Sequence, residues 1–115
     1  MATAEDRAVF VAEEEDAWLG CAGVIPEGGS LQLIGMWTRP EARRRGVGRE
    51  LVQAVLDFAA ATGQNRVQLW VSLQNPGATS LYEACGFRPT GARASHPEKP
   101  DAWAQQMERL SSGRG

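Results

Sequence analysis

The hydrophobic pattern predicts strands in the first third of the chain. Residues 8–12 and 17–25 are apolar runs separated by four acidic residues, a spacing typical of a hairpin. Residues 31–38 predict a third strand, which ends before Pro40 because proline cannot donate a ladder hydrogen bond. Gly35 lies inside this strand and indicates a bulge or a close approach of another backbone.

The period changes to that of a helix after Gly46. Apolar residues then recur at the spacing of one helix face, at Leu51, Ala54, Val55, Phe58 and Ala59. Gly63 follows as a residue that suits a helix C-terminus. Residues 67–73 alternate between apolar and polar, which predicts a strand, and residues 78–85 fit a short helix that Gly86 ends.

The last third of the chain gives a weaker pattern. Residues 87–89 predict a brief strand, and residues 91–100 are polar and predict a loop. Residues 102–110 predict a final strand with Trp103 and Met107 on one face. Residues 111–115 predict a disordered tail.

The predicted order is β-β-β-α-β-α-β, with an eighth element, a strand, at the end. Early hairpins followed by a crossover helix indicate an α/β (α+β) fold, with a mixed sheet flanked by helices. The length of 115 residues, with 43% hydrophobic and 23% charged residues, indicates one globular domain, over residues 1–110.

Charge and cysteine content exclude several classes of protein. The formal net charge is −2, although a dedicated nucleic-acid binder is usually basic, so nucleic acid is not an expected partner. Cys21, Cys85 and His96 are too few and too scattered for a disulfide framework or a metal site, so we expect no metal. No signal peptide or membrane-spanning run is visible, which predicts a cytoplasmic protein without membrane contact.

Positive charge is concentrated at one turn, where Arg-x-x-Gly-x-Gly opens the predicted helix. The first turn of a helix has unpaired backbone N–H groups and a partial positive charge, which phosphate oxygens accept well. Residues without a Cβ let a diphosphate lie against the main chain. The alternatives are an ordinary turn before a helix, a solvated basic face, or a patch for RNA.

A second candidate pair is Asn75 and Tyr82, which stand seven residues apart. Asn75 offers an amide donor and a carbonyl acceptor, and Tyr82 offers a phenolic O–H group. The alternative interpretation makes Asn75 a helix cap and Tyr82 a core tyrosine with a polar tip.

Together, LIGMWTRPEARRRGVGRELVQAVLDFA and NPGATSLYEACGF resemble the acyl-CoA-binding half of the GNAT superfamily of N-acetyltransferases. The resemblance implies a mainly antiparallel sheet and direct transfer of an acetyl group from acetyl-CoA to a primary amine. The acceptor would be a small molecule or a peptide. Tyr82 matches the general acid. The cofactor-binding matches are Met36, Trp37 and Thr38 for the pantetheine arm, Arg43, Arg44, Arg45, Gly46, Val47, Gly48 and Arg49 for the pyrophosphate, and Asn75 for the arm.

The sequence departs from the family pattern at two places. Trp70 stands where some members carry a glutamate that serves as a base. Only about seven residues precede Ala8, whereas the family has further elements before its first hairpin. These departures leave an alternative, a catalytically weak acyl-CoA-binding or regulatory module that needs a partner subunit. The shortened N-terminus favours a homodimer.

Overall fold

A computed structural model describes residues 8–15, 17–42 and 46–110. Within these ranges the chain forms six strands and two α-helices, with one short 3-10 turn at Pro40–Ala42. The elements in chain order are β1 (Ala8–Glu14), β2 (Ala17–Glu27), β3 (Ser30–Thr38), α1 (Val47–Ala61), β4 (Arg66–Ser72), α2 (Pro76–Ala84), β5 (Arg88–His96) and β6 (Lys99–Leu110).

The strands form one sheet in the order β1-β2-β3-β4-β6-β5. Neighbouring strands are antiparallel except for β3 and β4, which α1 connects as a parallel pair. This arrangement confirms the predicted mixed, mainly antiparallel sheet flanked by helices.

The core lies between α1 and the sheet. Leu51, Val55 and Ala59 are buried as the helical spacing predicts, and the ring of Phe58 packs edge-to-face on Phe10 with centroids 5.6 Å apart. The strands supply buried residues such as Leu31 and Leu69 to the same cluster. Burial of this apolar surface is the main force that holds the helix on the sheet.

The interior of β3 contains the irregularity that Gly35 predicts. Cys21 pairs with Trp37 while Gly23 pairs with Ile34, so two steps along β2 match three steps along β3. Gly35 has a φ of 62°, in the left-handed region that favours glycine. The bulge reverses the alternation of side chains, which places Met36 rather than Gly35 on the face of Leu33.

The predicted loop over residues 91–100 is wrong. Most of it belongs to the β5–β6 hairpin, in which Ala94 pairs with Ala104 and Ser95 with Trp103. β5 is an edge strand whose described side chains are exposed, so its sequence carries no apolar alternation, and backbone pairing with β6 stabilises it instead. In β6, Met107 is fully buried, whereas Trp103 is 46% exposed.

No helix in the described part of the chain is long and apolar enough to cross a membrane. The domain limits of 1–110 and the disordered tail stay predictions. Residues 1–7 and 111–115 lie outside the described ranges.

Candidate active site

The sheet opens where β3 and β4 diverge. The two strands pair only at Leu31 with Val67 and at Gln32 with Gln68, after which each continues without ladder pairing to the other. The resulting cleft has a volume of about 1190 Å³ and runs from the strand ends to the starts of α1 and α2. Unpaired strand edges present main-chain donors and acceptors to whatever enters the cleft.

Most of the predicted site residues meet at this cleft. Those that line it are Met36, Trp37, Thr38, Gly46, Gly48, Arg49, Asn75 and Tyr82. Val47 does not line it, because its side chain is buried in the core. The predicted residues Arg43, Arg44 and Arg45 lie outside the described part of the chain.

The start of α1 has the form of an anion site. Gly46 is the N-cap, has a φ of 81° and provides no side-chain cap. The first N–H groups of the helix, including that of Val47, have no intrahelical acceptor, and the helix dipole adds positive charge beside them. A Cβ added at Gly46 would meet nothing within 4 Å, so the main chain there is open to a ligand.

Gly48 has a different reason to lack a side chain. A Cβ at this position would lie 3.0 Å from Leu81 Cδ2, 3.6 Å from Met36 Cε and 3.7 Å from Thr38 Oγ1. Gly48 therefore permits close packing of α1 against α2 and β3. The sequence predicts that both glycines let a diphosphate approach the main chain, and of the two only Gly46 has open space where a Cβ would lie.

Asn75 both caps α2 and lines the cleft. Its Oδ1 accepts a hydrogen bond from the Ala78 backbone N–H at 3.1 Å, and its backbone oxygen accepts one from the Thr79 N–H at 3.2 Å. The helix-cap interpretation is therefore confirmed. Capping uses the carbonyl side of the amide and leaves the NH₂ group as a donor for a ligand.

Tyr82 is a buried residue of α2 that also borders the cleft. It is 6% exposed, and its ring packs edge-to-face on Phe87 with centroids 5.8 Å apart. Burial raises the pKa of the Tyr82 hydroxyl, and the charge of the Cys85 thiolate raises it further. The hydroxyl therefore holds its proton at neutral pH and can act as a donor.

A chain of polar side chains crosses the base of the cleft, and the sequence analysis missed it. Gln32 Nε2 donates to Gln68 Oε1 at 2.9 Å, and Gln68 Nε2 donates to Glu108 Oε1 at 3.2 Å. The same Glu108 oxygen lies 3.7 Å from Arg66 Nε. The signal available in the sequence is one glutamine in each of two apolar strands, and only the register places them side by side.

The two faces of the cleft differ in chemistry. Gly46, Asn75 and Tyr82 belong to the helix side, where Leu33 and Leu69 point into the core. Strand alternation places Ile34, Trp37 and Trp70 on the opposite side, where they are 46%, 44% and 46% exposed. The described residues that line the cleft include no aspartate or glutamate.

Known proteins resemble the chain in sequence and in fold. Human N-acetyltransferase 8 is 34% identical over 88 residues, which cover 71% of this chain and 39% of that protein. The chain spans less than half of the length of the curated relatives it matches.

Two crystal structures share the fold. One is the ribosomal-protein-S18-alanine N-acetyltransferase of Escherichia coli, with a TM-score of 0.80 at 21% identity over 98% of this chain and 74% of that one. The other is the spermidine N-acetyltransferase of Vibrio cholerae in complex with CoA and spermine, with a TM-score of 0.78 at 24% identity over 93% of this chain and 67% of that one.

The family assignment follows from the sequence itself. The profile of the Acetyltransferase (GNAT) family matches residues 1–87, a span that includes β1 to β4, both helices and every predicted site residue. The matched fold agrees with the resemblance that the two motifs indicate. The chain belongs to the GNAT family of acetyltransferases.

Proposed function

We propose that the protein transfers an acetyl group from acetyl-CoA to a primary amine by direct attack. The observation that carries the proposal is the placement of a helix-start anion site and a buried tyrosine on the walls of one cleft. The amine nitrogen forms a bond to the acetyl carbon, the carbon–sulfur bond breaks, the amine loses a proton and the thiolate gains one. The products are an N-acetyl amine and CoA.

The described residues fit the acyl donor. The N–H groups of Gly46, Val47 and Gly48 and the guanidinium of Arg49 suit a diphosphate. The edge of β3 at Met36 and Trp37 has no ladder pairing with β4 and suits the amides of a pantetheine arm, which can pair as an added strand. Thr38, the next residue, stays a predicted contact of the arm. The Asn75 NH₂ group can contact the same arm. Participation of Arg43, Arg44 and Arg45 stays a prediction.

Tyr82 is the proposed proton donor to the leaving thiolate. Its raised pKa keeps it protonated, and its burial holds the hydroxyl in a fixed position beside the cleft. A backbone N–H near Met36 or Trp37 would stabilise the charge that develops on the carbonyl oxygen. Fixing both reactants in one cleft supplies much of the acceleration, because the reaction becomes effectively unimolecular.

A coupled assay tests this proposal directly. Acetyl-CoA and a panel of primary amines are supplied, and CoA release is followed with a thiol reagent while mass spectrometry detects the N-acetyl product. We expect release that depends on both enzyme and amine. Binding of acetyl-CoA without acetylation of any amine would contradict the transfer.

Binding of acetyl-CoA without acetylation would support the second candidate function, an acyl-CoA-binding module that needs a partner. The observation in its favour is Trp70, which occupies the position where a carboxylate base stands in some family members. A homodimer is one form that such a partner could take. Sedimentation at several protein concentrations, followed by an activity assay of the dimer, separates the two candidates.

A further inference from the structure

We infer that the acceptor is an α-amino compound with a large apolar or aromatic group, whose nitrogen binds at Gln32 and whose apolar group lies between Trp37 and Trp70. The inference rests on the proposed acetyl transfer and names its acceptor class. Three properties of the described cleft lining support it, namely its apolar walls, its lack of carboxylates and the oriented amide of Gln32.

The wall residues fit an apolar group. Trp37 and Trp70 extend from β3 and β4 on the cleft face away from α1, and Ile34 lies on the same face as Trp37. Nearly half of the surface of each side chain is exposed. Aromatic side chains gain from burial against another apolar or aromatic group, so an acceptor of that kind would cover them.

The charge of the cleft argues against polycationic acceptors. Its described lining includes no carboxylate, and Arg49 contributes a positive charge. A polyamine or an aminoglycoside carries several ammonium groups, which bind well only beside negative charge. An acceptor with a single amine is the better electrostatic match.

Gln32 supplies an oriented hydrogen-bond acceptor. The Glu108 carboxylate can only accept, so it fixes the Gln68 amide with its NH₂ toward Glu108 and its oxygen toward Gln32. Gln32 must then turn its own NH₂ toward Gln68, as the 2.9 Å bond shows. Its carbonyl oxygen belongs to a residue that lines the cleft, and the inference assigns it as the acceptor of an N–H from the amine.

The described cleft lining has no carboxylate to act as a base, so an acceptor amine with a low pKa is favoured. An alkyl ammonium has a pKa of about 10.4, whereas an α-amino group has one of about 7.7–8.0 and is neutral in a much larger fraction at pH 7. An apolar cleft disfavours the charged amine further. An α-amine can therefore react without a strong base in the cleft.

The inference is tested by comparing the turnover of different acceptor amines by the whole chain with acetyl-CoA. The probes are L-phenylalaninamide, L-alaninamide, spermidine and the peptide Phe-Ala-Gly. We expect kcat/KM for phenylalaninamide to exceed that for alaninamide by about tenfold or more, as burial of a phenyl ring implies. Spermidine should be the poorest acceptor. The peptide and phenylalaninamide both carry an α-amine beside a phenyl ring. Faster turnover of the peptide would identify a polypeptide N-terminus as the acceptor, and faster turnover of the amide would identify a small molecule.

Matched variants test which residues determine this preference between amines. Trp70→Ala should reduce the ratio of phenylalaninamide to alaninamide turnover by about tenfold. Trp103→Ala is the control, because Trp103 is equally exposed at 46% but does not line the cleft, and it should keep the wild-type ratio. Trp70→Glu should shift the preference toward spermidine, and Gln32→Leu should raise KM for every amine while CoA binding persists.

The possible failures are distinguishable. Efficient turnover of spermidine with little turnover of phenylalaninamide would overturn the acceptor class and leave the acetyl transfer intact. Unchanged selectivity in Trp70→Ala would remove Trp70 from the acceptor site. CoA binding without turnover of any probe would instead contradict the proposed function itself.

Discussion

A methyl group added at Gly48 would lie 3.0 Å from Leu81 Cδ2. Helices α1 and α2 therefore meet at a point where a side chain on α1 would require Leu81 to shift. The contact fixes the start of α1 relative to α2, which carries Asn75 as its cap and Tyr82 in its last turns. Close packing between two helices thus sets the distance between the proposed diphosphate site and the proposed proton donor.

Gly48→Ala is predicted to destabilise the fold and weaken CoA binding together. The added methyl forces Leu81 to move, which costs about 1–2 kcal/mol, whereas alanine gains about 0.5–1 kcal/mol over glycine in a helix, so the net loss is about 0.5–1 kcal/mol. Thermal unfolding and calorimetric titration with CoA measure the two effects. Leu81→Ala in the same chain should remove the clash, so a double-mutant cycle should show coupling. Strict additivity of the two substitutions would contradict the contact.

Gly46→Ala is predicted to affect ligand binding beyond its effect on stability. Gly46 and Gly29 have φ values of 81° and 84°, and a Cβ at either would meet nothing within 4 Å. Alanine at each should therefore destabilise the fold by about 1–2 kcal/mol through backbone strain alone. Only Gly46→Ala should raise the Kd for CoA, because Gly29 lies in the β2–β3 turn and does not line the cleft. Equal Kd values for the two variants would count against the helix-start site.

Tyr82→Phe is predicted to lower kcat by about 100-fold or more, the usual contribution of a general acid. The ring should keep its edge-to-face contact with Phe87, so the melting temperature and the Kd for CoA should change little. Steady-state kinetics with acetyl-CoA, together with CoA titration, separates chemistry from binding. A wild-type kcat would remove Tyr82 from the mechanism.

The pH dependence of kcat follows from the same residue. Burial raises the Tyr82 pKa above the ordinary 10.0, so the proton donor stays protonated throughout the neutral and mildly alkaline range. The loss of rate due to its ionisation should therefore have its midpoint above the ordinary tyrosine pKa of 10.0. At lower pH, kcat should rise with increasing pH as the acceptor amine loses its proton. An alkaline limb with its midpoint below 10.0 that disappears in Tyr82→Phe would contradict the raised pKa, although it would identify Tyr82 as the ionising group.

The same shift has a consequence for stability. A group whose pKa is raised on folding stabilises the native state below its unfolded pKa. This contribution is present at neutral pH and is lost as the pH rises through the raised pKa of Tyr82. Unfolding of the wild type and of Tyr82→Phe at increasing alkaline pH measures it, and the variant should show a weaker alkaline loss.

The strand irregularity and the cleft motifs could be predicted because local chemistry determines them. Gly35 interrupts an apolar run, and only a bulge or close approach explains it well. Gly46 and Arg49 are three residues apart at a helix start, so predicting that they lie close together needs no knowledge of distant contacts. For these residues, closeness in sequence is enough to predict closeness in the structure.

The hairpin of β5 and β6 and the chain from Gln32 to Glu108 could not be predicted in this way. β5 has an exposed polar pattern that does not differ from a loop, and its partner strand alone makes it a strand. Gln32 and Gln68 are 36 residues apart and meet only through the parallel register of β3 and β4. Long-range pairing, rather than local preference, determines both features.

A crystal structure of the protein with CoA is the most direct test of the proposed site. We expect a diphosphate within hydrogen-bond distance of the main-chain N–H groups from Gly46 to Arg49. We also expect a pantetheine arm along the edge of β3 that faces β4 and a sulfur beside the Tyr82 hydroxyl. CoA bound elsewhere, with the gap between β3 and β4 empty or closed by side chains, would contradict the proposed site.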